Sequence, residues 1–144
     1  DGRVVQGLLP RLWFRHFAGT SWIAEARSDR AESGEARLAG FVVGFRSPGH
    51  ADLAVLQAVG VDPNLRRRGI GRRLVEHFLA DAQASLAASV EATTWPGNRR
   101  ALTFLEALGF APDVASSPRR VYGVPAIEDY DFGTEDRARL LRRL

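Results

Sequence analysis

Residues 51–85 constrain the fold more than any other part of the chain. "ADLAVLQAVGV" (51–61) is an almost wholly apolar run, as expected of a central strand covered on both faces. Asp62 and Pro63 end it, because proline has no amide to offer a ladder. From Gly69 the period changes, and Ile70, Leu74, Val75, Phe78, Leu79 and Ala82 recur at helical spacing through about Ser85. A strand therefore gives way to an amphipathic helix within the turn "DPNLRRRGIG" (62–71).

The remaining segments supply further strands and helices. "PRLWFRHFAG" (10–19) reads as a short helix, with Pro10 suited to its first position and Gly19 to the position after its end. "SWIAEAR" (21–27) alternates, Trp22, Ala24 and Ala26 against Ile23, Glu25 and Arg27, which is a strand. The polar loop 28–35 joins it to the β-rich run 36–47, an antiparallel hairpin. "LAASVEATTW" (86–95) is a further strand with Val90 in its core, and "PGNRRALTFLEALGF" (96–110) a second helix stopped by Gly109. Residues 112–136 read as a long loop, and "RARLLRRL" (137–144) as a closing edge strand whose arginines blunt pairing with other chains. There is no internal repeat and no second-domain boundary, so the expectation is a single domain over residues 1–144.

Composition removes several chemistries. The chain has no cysteine, which excludes disulfides, thiolate metal sites and a cysteine nucleophile. It has no lysine, all 20 basic residues being arginine, so a phosphate-loop lysine and a Schiff base are excluded. His16, His50 and His77 stand far apart without ligand spacing, and no metal is expected. No apolar run approaches the ~18 residues of a membrane span, and no signal-type h-region follows Asp1. A cytoplasmic location away from membranes is the expectation. A net charge of +3 is too mild to argue for nucleic acid by itself.

The charge that matters is local. "RRRGIGRR" (66–73) packs five arginines around two glycines, and these like charges repel unless an anion sits among them. The cluster falls where a strand meets a helix. A helix's first amides have no intrahelical partner and its dipole makes that end partly positive. Glycine lets an anion approach the backbone there. The result is an anion cradle, for which phosphate is the commonest guest. A Walker loop lacks its lysine here, and a dinucleotide fingerprint lacks its third glycine.

"VGVDPNLRRRGIGRRLVEHFL" resembles the acyl-CoA-binding segment of the GNAT superfamily of N-acetyltransferases, whose signature is Arg/Gln-x-x-Gly-x-Gly/Ala. Arg66, Gly69 and Gly71 fill that signature in register. "NRRALTFLEALGF", from Asn98, is similar to the family's Asn-x-x-Ala…Gly-Phe helix, and the likeness runs from about Ser21 to Phe110. It implies an α/β fold with a mixed, mostly antiparallel sheet, helices on both faces, and two parallel strands splayed apart at the cofactor site. It implies acetyl-CoA as cosubstrate. By position, backbone at Val59, Gly60 and Val61 would hydrogen-bond the pantetheine. The amides of Arg67, Arg68, Gly69, Ile70, Gly71 and Arg72 would hold the pyrophosphate, and Asn98 would contact the arm. The family normally places a strand and a helix ahead of the segment at 10–19, and nine residues are too few for both.

The implied reaction is transfer of an acetyl group to a primary amine. At pH 7 exposing the lone pair of a lysine-like amine costs about 4.6 kcal/mol, so a general base and an acid for the departing thiolate are needed. Without cysteine, direct transfer in a ternary complex remains. The family's usual tyrosine acid is replaced by Leu105, Gln57 cannot act as a base, and Thr93 stands where some relatives carry glutamate. Glu91, two residues earlier on the same strand face, is the candidate base. Tyr122 and Tyr130 lie in the long loop. Two alternatives stand beside the enzyme: a catalytically weak acyl-CoA binder or sensor of the same fold, and a phosphate-backbone binder, with no aromatic platform evident for nucleic acid. The acceptor is unidentified and a homodimer stays open.

Overall fold

The computed structural model describes residues 11–27, 36–130 and 135–144. The element order is helix α1 (Arg11–His16), strands β1 (Ser21–Arg27), β2 (Ala36–Arg46) and β3 (Leu53–Val61), helix α2 (Ile70–Ala84), strand β4 (Ser89–Thr94), helix α3 (Arg99–Glu106), and strands β5 (Ala111–Pro112), β6 (Arg119–Val121), β7 (Val124–Ala126) and β8 (Ala138–Arg143). Six strands form one sheet in the order β1-β2-β3-β4-β8-β5, and β6 and β7 form a separate hairpin. The sheet is mostly antiparallel with one parallel pair, so the mixed α/β architecture expected from the resemblance is the one observed.

The chain divides into two compact units. One holds the residues up to Phe45 together with Leu56–Ser85; the other holds Arg46–Val55 together with Leu86–Leu144. In the first unit β1 and β2 form the expected antiparallel hairpin, Ser21 facing Val43 and Arg27 facing Ala36, with a bulge between Ala24 and Glu25. Residues 28–35, read as its polar loop, and Pro10 lie outside the described residues. The α2 stripe is buried as its period requires, Leu74, Val75, Phe78, Leu79 and Ala82 joining Val42, Val43 and Leu56 in the core. Trp22 of β1 meets Phe78 of α2 edge-on at 6.2 Å. Trp13, Phe17 and Phe45 form a second aromatic cluster, Trp13 to Phe17 at 4.7 Å.

In the second unit the buried residues include Leu102 and Leu105 of α3, Leu108 and Phe110 after it, and Val90, Ala92, Val124, Ala126 and Leu140. Gly109, at φ +83°, stops the helix in the left-handed conformation that suits glycine. The helix is shorter than 96–110, because the Asn98 side chain caps it by accepting from the Ala101 amide at 3.2 Å.

Three further expectations are corrected. Residues 112–136 are not one loop, because β5, β6 and β7 lie in or at its edge. Runs of two or three residues are too short for any period to show. The closing strand β8 is not at an edge: it pairs antiparallel with β4 on one side and with β5 on the other. Its arginines serve neighbours instead of guarding an open edge, Arg142 donating to the Leu108 carbonyl. Finally, β3 buries only Ala54 and Leu56 fully, its other residues being half-exposed.

Candidate active site

The turn after β3 is built by its own side chains. Asp62 accepts from the Asn64 amide at 2.8 Å, capping a 3-10 turn at Pro63–Leu65, and its other oxygen meets Arg37 at 3.2 Å. The Asp62 amide in turn donates to the Ala39 carbonyl of β2 at 2.9 Å. Arg66 folds back so that its Nε donates to the Val61 carbonyl at 3.3 Å, tying the turn to the strand end. Arg67 takes φ +65°, a conformation an arginine rarely adopts.

Gly69 caps α2 at φ +78° and makes no side-chain cap hydrogen bond. Nothing lies within 4 Å of where a Cβ would stand there. The first main-chain bond into the helix runs from the Arg73 amide to the Gly69 carbonyl. The helix end is thus open, positive, and uncovered by any capping side chain. Arg67 and Arg68 are exposed beside it, and neither has a carboxylate partner among the described residues. Arg72 pairs with Glu76 one turn along at 3.6 Å, an exposed pair worth a few tenths of a kcal/mol. An oxyanion group fits this end: donors, open space and unbalanced positive charge coincide.

Val59, Gly60 and Val61 end β3 in the same unit. A Cβ on Gly60 would stand 2.5 Å from the Phe41 ring, and one on Gly40 would stand 2.8 Å from the Gly60 carbonyl oxygen. The two glycines let β2, β3 and Phe41 approach closely. Candidates Val59 to Arg72 are therefore brought together on one strand–turn–helix segment. Asn98 and Glu91 belong to the second unit.

Glu91 is buried on β4, and both its oxygens are engaged. Tyr130 donates its hydroxyl to Oε1 at 2.9 Å, and Arg139 meets Oε2 through Nε at 2.8 Å and Nη2 at 2.7 Å. Arg139 Nη1 also reaches Asp113 at 2.6 Å. Burial alone would lower the Arg139 pKa, but the Glu91 hydrogen bond and the charges of Glu91, Asp113 and Tyr130 outweigh it and raise the value. Arg139 and Asp113 escaped sequence reasoning, and Tyr130 reads from the sequence only as a residue of the long loop. Strand register brings Arg139 to Glu91: Thr93 faces Arg139 and Glu91 faces Leu141, so the two lie diagonally across from each other. Leu105 is a core residue of α3. Tyr122 lies on the β6–β7 turn.

A family model, the acetyltransferase (GNAT) family, matches residues 5–110. The chain belongs to the GNAT acetyltransferase family. Among its curated relatives is the L-2,4-diaminobutyric acid acetyltransferase of Nocardia farcinica (strain IFM 10152), 30% identical over 97 residues, covering 67% of this chain and 46% of the relative. The protein of the same name from Halalkalibacterium halodurans is 32% identical over 72 residues, covering 50% of this chain and 38% of the relative. The chain thus spans less than half the length of these curated relatives. Among solved structures, the NatC complex bound to Gag peptide and CoA has a TM-score of 0.68 at 19% identity, covering 93% of this chain and 77% of that one. The last is a likeness of fold: a GNAT sheet with its helices.

Proposed function

We propose that this GNAT chain transfers an acetyl group from acetyl-CoA to a primary amine by direct attack in a ternary complex. The observation that carries the reading is the uncapped start of α2, with Gly69 in the left-handed conformation, open space before it and Arg67 and Arg68 without acidic partners. In this reading the amides from Arg67 to Arg72 hold the diphosphate, with Arg66 bracing the turn. The backbone at Val59, Gly60 and Val61 holds the pantetheine, and Asn98 contacts the arm. When bound, acetyl-CoA supplies a thioester carbonyl that a neutral amine can attack. The absence of cysteine supports direct transfer over an acyl-cysteine route.

Both oxygens of Glu91 are already hydrogen-bonded, which argues against it as the base. We place the amine proton on water or on a second amino group of the acceptor, with Glu91 and Arg139 holding Tyr130 in position. The name of the curated relatives supports a small diamine-bearing amino acid as acceptor. A second reading, an acyl-CoA sensor, is favoured by the buried Leu105 where the family often has its acid. Calorimetry with coenzyme A, followed by thiol release with L-2,4-diaminobutyrate and an amine panel, separates the readings. Tight cofactor binding without turnover on any amine supports the sensor, and no cofactor binding removes both.

A further inference from the structure

The second unit carries an exposed feature that the cofactor reading leaves unused. Trp95, directly after β4, is 48% exposed, and Tyr122, on the β6–β7 turn, is 62% exposed. Their rings meet edge to face, centroids 5.6 Å apart and planes at 73°. Trp95 is held against Gly97, where any Cβ would collide with the indole. Tyr122 is held by its turn. Val121 pairs with Val124, so Tyr122 and Gly123 form a two-residue loop, at φ +52° and +79°. That loop type strongly prefers Asn-Gly. A tyrosine there is strained, and strain of this kind gathers where a side chain has work to do.

Two guanidinium groups are pinned to the same turn. Arg99, in the first turn of α3, donates through Nη2 to the Tyr122 carbonyl at 2.8 Å, and Arg120 donates through Nη1 to the Gly123 carbonyl at 3.0 Å. Each keeps further N–H donors, and neither has a carboxylate partner among the described residues. Their neighbour Arg119 contrasts with them, being neutralised by Glu128 at 2.6 Å. The site therefore sets two unbalanced cations beside two exposed aromatic rings. A bare cation is repelled by the arginines, and a bare anion leaves the rings unused. A zwitterion satisfies both, its carboxylate on Arg99 and Arg120 and its ammonium on the rings. The indole lies close against Gly97 and the rings stand at a steep angle, so the pair walls a corner and offers no flat slot for a base.

We infer that Trp95, Tyr122, Arg99 and Arg120 form a subsite for the amino-acid head group of the acceptor, selecting carboxylate-bearing amines. This deepens the amine-acceptor reading above and rests on it for the word acceptor, but not for binding. The test is calorimetric titration of the full chain, with and without coenzyme A, using L-2,4-diaminobutyrate and 1,3-diaminopropane, the same two amines without the carboxylate. Arg99→Gln and Arg120→Gln should each weaken diaminobutyrate by about tenfold or more, the loss of a charge-assisted hydrogen bond, and should not weaken the diamine, which the arginines repel. Tyr122→Gly, which keeps the turn's positive φ, should weaken both. The inference is overturned by wild-type protein that ignores diaminobutyrate in both conditions, or by variants that bind it like wild type. It is also overturned if Arg99→Gln instead loses affinity for adenosine 3′,5′-bisphosphate, which assigns the corner to a nucleotide. A chain that ignores coenzyme A yet loses diaminobutyrate on Arg99→Gln removes the acetyl-transfer reading and keeps the subsite; the converse removes the subsite alone.

Discussion

Gly60 and Gly69 are both glycines for physical reasons, but the reasons differ and so do the expected consequences. At Gly60 the obstacle is a neighbour: a Cβ would stand 2.5 Å from the Phe41 ring. Gly60→Ala should destabilise the protein by about 1–3 kcal/mol through overpacking, and Phe41→Leu in the same chain should recover most of that in a denaturant titration. At Gly69 the obstacle is the backbone, φ +78° with open space around it. Gly69→Ala should therefore cost about 1–2 kcal/mol, with no second-site rescue, and should weaken coenzyme A if the cradle is its site. Glu91 is a third kind of residue. Removing one partner of a buried ion pair leaves the other uncompensated, at about 3–5 kcal/mol. Glu91→Gln should fall at the low end, because Arg139 keeps Asp113. The Arg139 pKa is raised, so its contribution is fully present below the ordinary arginine value and is lost only as pH climbs past the raised one. Thermal melts through neutral and mildly alkaline pH should show no loss traceable to it.

At the scale of elements, Asn98 stands at the start of α3 with two roles to separate. Its side-chain oxygen caps the helix through the Ala101 amide. Asn98→Ala should lower stability by about 1 kcal/mol, and Asn98→Asp should keep the cap and the stability. If the amide also touches the cofactor arm, Asn98→Asp should still weaken coenzyme A in calorimetry, because a carboxylate has no N–H to donate. Strand β8 makes a similar point about context. Its arginines read as the guard of an edge, yet β4 and β5 flank it and Leu140 is fully buried. The arginines are tolerated there because Arg139 finds Glu91 and Asp113, and Arg142 finds a carbonyl at the end of α3.

For the molecule as a whole, a ligand that binds only the folded chain stabilises it by RT ln(1 + [L]/Kd), about 2.7 kcal/mol at a hundredfold excess over Kd. A thermal melt with coenzyme A at that excess should rise by roughly 5–11 °C for a chain of this size. DNA or RNA should leave the melt unchanged at physiological salt; a steeply salt-dependent rise with nucleic acid would instead favour the phosphate-backbone reading. Local order along the chain was sufficient for much of this architecture. The change of period between 61 and 70, the alternation at 21–27 and the stop at Gly109 are near-neighbour signals, and β1, β2, β3, α2, β4 and α3 follow from them. The proposed anion cradle could be read from sequence for the same reason, since one contiguous turn supplies its amides and its charge. Folding in three dimensions decided the rest. The Glu91–Arg139–Asp113–Tyr130 cluster joins residues up to 48 positions apart, and Arg99 meets the Tyr122 carbonyl across 23. No period or spacing encodes such meetings, because strand register and helix packing bring the side chains together only after the sheet has formed.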